Sequence, residues 1–237
     1  MASRNATFYE SGVSGALFAP LKWFFYILIL LLALMLAAWV VDWIFVFRVW
    51  PDGLVSLKNV LTGDLSRTAS LGGWHNELNR LAVATANCVY ELIFKAPGIH
   101  DMGARFADGT ALSIPDTIVR NTYIANYQAI QVAMTGTQLF GVRLAVLLMA
   151  LPLFVLAYVF ALSDGLAQRA IRRASGGNES ASIYHRAKYY LVALGSALSA
   201  LYLLLPASID PRWIILPGIS VLGLLVRWQW VYYKKHL

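Results

Sequence analysis

The side chains able to do chemistry in this sequence do not assemble into a catalytic pattern. Four histidines, His75, His100, His185 and His236, stand far apart, without the H-E-x-x-H spacing that sets two imidazoles around a zinc ion. His75 and Glu77 are two residues apart, so on a helix they point to different faces. Cys88 is the single cysteine, which excludes a disulfide within the chain and any cysteine pair for a metal. Neither a Walker A sequence nor G-x-S-x-G occurs. With no nucleophile, metal set or acid–base pair, the expectation is a protein that is not an enzyme and uses no cofactor.

Two other groups of residues stand out. The first is a basic stretch running from Asp164 to Lys188. Arg169, Arg172 and Arg173 share one helical face. Gly176 can end that helix and Asn178 can cap the next, which carries His185, Arg186 and Lys188. Glu179, between the arms, can pair with an arginine. The second group is Asp42 and Arg143, charges inside long apolar runs. Such charges mark function by default, and the sharp reading is an ion pair between the two helices. The plain alternative is that each sits hydrated near a membrane surface, the arginine snorkelling. Arg227, beside Trp228, Trp230, Tyr232 and Tyr233, reads as a snorkelling residue in an interfacial aromatic belt.

The elements that must position these residues are helices in a membrane. The chain has 237 residues, 59% hydrophobic and 13% charged, with a mean hydropathy of +0.62. A soluble domain has roughly 25% charged residues, so a soluble globular enzyme and a disordered chain are both excluded. No alternating strand pattern and no repeat is visible, and the predicted fold is all-α with four transmembrane helices. Residues 21–47, 138–163, 189–206 and 212–233 are the spans, each near the roughly 20 apolar residues a bilayer requires. The first reads as an uncleaved signal anchor, because its apolar run is too long for a signal peptide. The last two, joined by a turn at 207–211 between Pro206 and Pro211, form an antiparallel hairpin.

Loop charges set the orientation. The tail 1–20, the basic stretch 164–188 and the tail 234–237 fall on one side of a four-span topology and carry the excess of Lys and Arg, so both termini read as cytoplasmic. The net charge of +7 follows from the same bias rather than from nucleic-acid binding. Residues 48–137 then form a helical outer domain, periplasmic in a bacterium. Within it Leu54–Leu65 is a weak helix. Trp74, Leu78, Leu81, Thr85, Cys88, Val89 and Leu92 give one apolar helical face. The stretch Ala96–Leu112, rich in Gly and Asp, reads as a loop. Ser113 and Asp116 form a capping box around Pro115, and the helix they open is expected to run unbroken through the second span to Arg173.

The order Asp164-Gly165-Leu166, Gln168-Arg169, Arg172-Arg173, Glu179-Ser180 and Tyr184-His185-x-Ala187-Lys188 resembles the signature of integrating conjugative element membrane proteins, a family that includes the TraJ-type membrane proteins of large conjugative plasmids. The close match covers about 25 residues, and the four-span layout agrees more loosely over the chain. The resemblance implies a bacterial inner-membrane subunit of conjugative type IV secretion that docks on the coupling ATPase. Arg169, Arg172, Arg173, Glu179, His185, Arg186 and Lys188 would be the partner-binding residues. Anionic lipid at the cytoplasmic face is a further partner, a homo-oligomer is compatible, and direct DNA contact is disfavoured because five basic residues make a weak nucleic-acid signature. The alternatives are a small transporter or channel, for which Asp42 and Arg143 are the only pathway candidates, and an exclusion or regulatory factor acting through the outer domain.

Overall fold

The computed structural model describes residues 3–70, 75–107, 114–176 and 181–233. Among them all regular secondary structure is helical: α1 (Ser3–Ile44), α2 (Leu54–Ser70), α3 (His75–Tyr90), α4 (Ile99–Ala107), α5 (Ile114–Ala125), α6 (Tyr127–Ala174), α7 (Ala181–Leu204) and α8 (Arg212–Val231). Single π-helical turns, Phe45–Val49 and Glu91–Lys95, extend α1 and α3. Four helices are long and apolar enough to cross a membrane: Pro20–Val49, Tyr127–Ala174, Ser182–Leu204 and Arg212–Val231. That is compatible with a multi-pass membrane protein.

α6 is the spine. Its 48 residues span about 72 Å at 1.5 Å per residue, against a hydrocarbon core of roughly 30 Å. A helix of that length must project beyond any bilayer it crosses. Burial divides it accordingly. From Val132 to Val146 most side chains are buried, whereas Leu148, Leu151, Leu153, Val155, Leu156, Val159 and Phe160 are exposed and apolar. α1 divides the same way: Met35, Ala38, Asp42 and Val46 are buried at spacings of three and four, while Trp23 through Leu30 are exposed on every face.

The structure therefore has two storeys. In one, α1, α6, α7 and α8 present exposed apolar side chains. In the other, α2 and α3 pack against the far halves of α1 and α6. The segment 48–137 has no core of its own among the described residues. Its buried side chains join clusters that contain α6: Leu57 with Val46, Val132 and Leu139; Ala82 and Ala86 with Val142 and Ala145; Leu78 with Val146 and Tyr202. The apolar runs read as spans in the sequence are thus used partly as core, because a continuous helix serves both storeys.

Three local expectations change. The long helix expected from Pro115 is broken at Asn126, whose backbone N–H and side-chain amide both donate to the Thr122 carbonyl, at 3.1 and 2.9 Å. A short amide side chain competing for a helical carbonyl is enough to interrupt the ladder. The stretch expected as a loop contains α4. The buried face of α3 centres on Ala82 and Ala86, while Cys88 and Leu92 are exposed. The π-turn Glu91–Lys95 shifts the register, so Phe94 turns inward in place of Leu92. The proposed cap at Ser113 lies outside the described residues.

Ala86 on α3 faces Gly141 of α6. A Cβ at Gly141 would lie 2.6 Å from Ala86 Cα and 2.9 Å from its backbone nitrogen. Backbone cannot yield as a side-chain tip does, and overpacking typically costs about 1–3 kcal/mol. Gly141→Ala is expected to lower the thermal midpoint in mild detergent by several degrees. Gly223→Ala, with open space around it, is expected to leave it unchanged. Equal midpoints for the two variants would contradict this packing.

Candidate functional site

Two polar assemblies stand out, one in each storey. The first is built around Arg143 on α6, only 2% exposed. Its Nε donates to Asp64 Oδ2 of α2 at 2.9 Å. Its Nη1 donates to the carbonyls of Tyr202, at 3.4 Å, and Leu205, and Nη2 donates to the Ala207 carbonyl at 2.9 Å. These carbonyls lie at and just beyond the end of α7, where a helix leaves its last acceptors unpaired. The guanidinium caps them, and its charge is favourable at that end of the helix dipole. Ser208 donates to Asp64 Oδ1 at 2.6 Å, so both carboxylate oxygens are engaged. One arginine thus ties α2, α6, the end of α7 and the turn into α8. Tyr202 adds its ring, with the Arg143 Cζ 5.8 Å from the centroid.

The partner of Arg143 is thus Asp64, not Asp42 as the sequence suggested. Asp42 is equally buried, at 3% exposed, but it packs two turns further along α6, at Gly136. A Cβ at Gly136 would come within 2.6 Å of its Oδ2. One turn away the Trp39 indole N–H donates to Thr137 Oγ1 at 3.0 Å. Asp42 and Arg143 are both buried, so the hydrated-surface alternative fails for them as well. Asp64 escaped sequence reasoning, yet it left a signal. Leu57, Leu61, Asp64 and Thr68 follow helical spacing, so Asp64 is a charge on an apolar stripe, and such a charge needs a buried partner.

The second assembly is at the other end of the molecule. Asp164 on α6 forms an ion pair with Arg227 on α8, with 2.5 Å between Oδ2 and Nε. A Cβ at Gly165 would lie 2.9 Å from both the Arg227 carbonyl and Trp230 Cβ, so α6 and α8 touch there. The Arg172 Cζ lies 4.1 Å from the Tyr232 ring centroid and the Arg169 Cζ 5.0 Å from that of Tyr233. Tyr184 of α7 packs edge-on to Tyr233, with 5.4 Å between ring centroids. Guanidinium–aromatic contacts are worth about 0.5–2 kcal/mol each depending on desolvation. They also fix where the charges sit. Arg169 and Arg172 are half-buried in this stack, while Arg173, His185, Arg186 and Lys188 are exposed around it. Glu179 lies outside the described residues. Arg227, expected as a lone snorkelling residue, instead has a carboxylate partner.

A third feature is a cleft of about 680 Å³ in the buried storey's flank, lined by Tyr90, His100, Phe106, Tyr123, Tyr127 and other residues. The Tyr90 hydroxyl and His100 Nδ1 are 2.7 Å apart. Burial raises the pKa of Tyr90, opposed by Lys95 and reinforced by Asp101; it also raises that of Tyr123, with Tyr127 and Tyr90 adding to it. Both phenols therefore stay neutral at physiological pH. Among the described residues no group of three His, Cys, Asp or Glu side chains could hold a metal ion.

Removing one partner of a buried ion pair strands the other and typically costs about 3–5 kcal/mol. Arg143→Met is therefore expected to lower the thermal midpoint in detergent far more than Ser208→Ala, which removes one donor from a carboxylate that keeps another. An Arg143→Met protein as stable as wild type would contradict the latch.

Residues 49–232 match a protein family described as IncC plasmid conjugative DNA transfer protein DtrJ-like. No curated protein matches, and no solved structure matches.

Proposed function

The chain belongs to the DtrJ-like family of conjugative DNA transfer proteins, and we propose that it is a non-enzymatic inner-membrane accessory subunit that docks on the coupling ATPase. The observation that carries this reading is the arginine–tyrosine stack joining α6, α7 and α8. A stack of that kind holds Arg173, Arg186 and Lys188 on a preorganised basic surface, suited to an acidic patch of a partner protein. Electrostatic complementarity sets orientation and association rate in such contacts. The likeness of the Asp164–Lys188 stretch to membrane proteins of integrating conjugative elements supports the same reading.

In this proposal the basic end is cytoplasmic, both termini are inside, and the α2–α3 storey is periplasmic. The exposed apolar band of α6 from Leu148 to Phe160 crosses the hydrocarbon together with α7, α8 and the exposed part of α1. The Arg143 assembly supports an accessory role over transport, because all three guanidinium nitrogens are already engaged. A translocation pathway needs polar groups that open to the substrate.

The roles of the arginines separate by burial. Changing Arg173, Arg186 and Lys188 together to alanine is expected to lower conjugation frequency tenfold or more while the protein stays in the membrane and keeps its thermal midpoint. Changing Arg169 and Arg172 is expected to lower both, since those two build the platform. In a mild-detergent pull-down, the coupling ATPase is expected with wild type and not with the first variant. Wild-type transfer by the Arg173/Arg186/Lys188 variant, at normal abundance, would sink the docking surface.

A further inference from the structure

An apolar groove of about 510 Å³ runs between α6 and α8, on the side that faces away from α7. Val146, Met149 and Leu153 of α6 and Ile215 and Leu216 of α8 form its walls, and Leu78 of α3 stands at one end. Its single charged lining residue is Arg212, at the first position of α8. Next to it Trp213 is 78% exposed, the placement of an indole in an interfacial belt. Both walls belong to helices long and apolar enough to cross a membrane, so the groove opens where acyl chains lie. A hydrocarbon chain satisfies its walls, and an anion at headgroup depth satisfies its mouth.

Arg212 is suited to that anion. The Arg212 Nε is 3.8 Å from Asp210 Oδ1, and both side chains are partly exposed. The same carboxylate oxygen accepts the Arg212 backbone N–H at 2.9 Å. That leaves a loose, solvated pair, which a phosphate can displace with two parallel N–H···O contacts. We propose that this groove holds one acyl chain of an anionic phospholipid whose phosphate is bound by Arg212. The site is at the end of α8 opposite Arg227, and so is distinct from lipid attraction to the basic end. It depends on the chain crossing a membrane and not on its role in DNA transfer.

Native mass spectrometry of the full chain in mild detergent, titrated with phosphatidylglycerol or phosphatidylcholine, tests the assignment. Wild type is expected to retain one phosphatidylglycerol at about tenfold lower lipid concentration than phosphatidylcholine. Arg212→Glu is expected to erase the headgroup preference, and Ile215→Trp, which fills the groove, to lose both lipids. Asp210→Asn removes the competing carboxylate and is expected to strengthen phosphatidylglycerol binding, a gain that misfolding cannot imitate. Unchanged retention by Ile215→Trp, equal retention of the two lipids by wild type, or a chain dimer that Ile215→Trp dissolves would each overturn the proposal. No mating is involved, so these outcomes are independent of the docking reading.

Discussion

A buried guanidinium constrains everything around it. Taking an arginine and a carboxylate out of water costs several kcal/mol for each ion, and the cost is offset only when geometry and hydrogen bonding are complete. Arg143 meets that condition with Asp64 and three backbone carbonyls. The carbonyls are available because α7 ends there and the chain turns at Pro206. The carboxylate is available because α2 lies alongside, brought close by Gly63, where a Cβ would be 2.7 Å from Ser208 Oγ. Three stretches distant in sequence are thus held by one charge, and the alternative arrangements that would strand it are penalised.

The same latch joins the two storeys. α6 runs through both, with its buried half packed by α2 and α3 and its exposed half by α7 and α8. Arg143 sits where the two halves meet, at the level where α7 ends and α8 starts. Tyr202 and Val146 pack there with Leu78. At the far end, Asp164–Arg227 and the arginine–tyrosine stack close the bundle again. A single helix held by contacts at both ends gives the basic end a fixed relation to the α2–α3 storey.

Much of this was legible in the sequence, and the exceptions have physical causes. The all-helical class and the four membrane-length helices follow from hydropathy, which reports length and polarity directly. The connection with conjugative transfer was carried by the order of residues from Asp164 to Lys188. Partners were not legible. Arg143 pairs across 79 positions with Asp64, and hydropathy near Asp42 offered a nearer-looking candidate at similar depth. Arg227 looked solitary because its carboxylate, Asp164, is on another helix. The tyrosines at 232 and 233 read as an interfacial belt, and only the fold sets them under Arg172 and Arg169. Apolar runs also cannot tell core from lipid contact, so hydropathy does not separate the buried stretches of α1 and α6 from their exposed ones.

The joining of the two storeys depends on the coupling between Asp64 and Arg143. A double-mutant cycle with Asp64→Asn and Arg143→Gln, read by chemical unfolding in mild micelles, measures it directly. The latch predicts that the double variant is no worse than the weaker single variant, with a coupling energy of about 1–3 kcal/mol. Strictly additive losses would mean the two charges stabilise the protein independently, and would contradict the central claim.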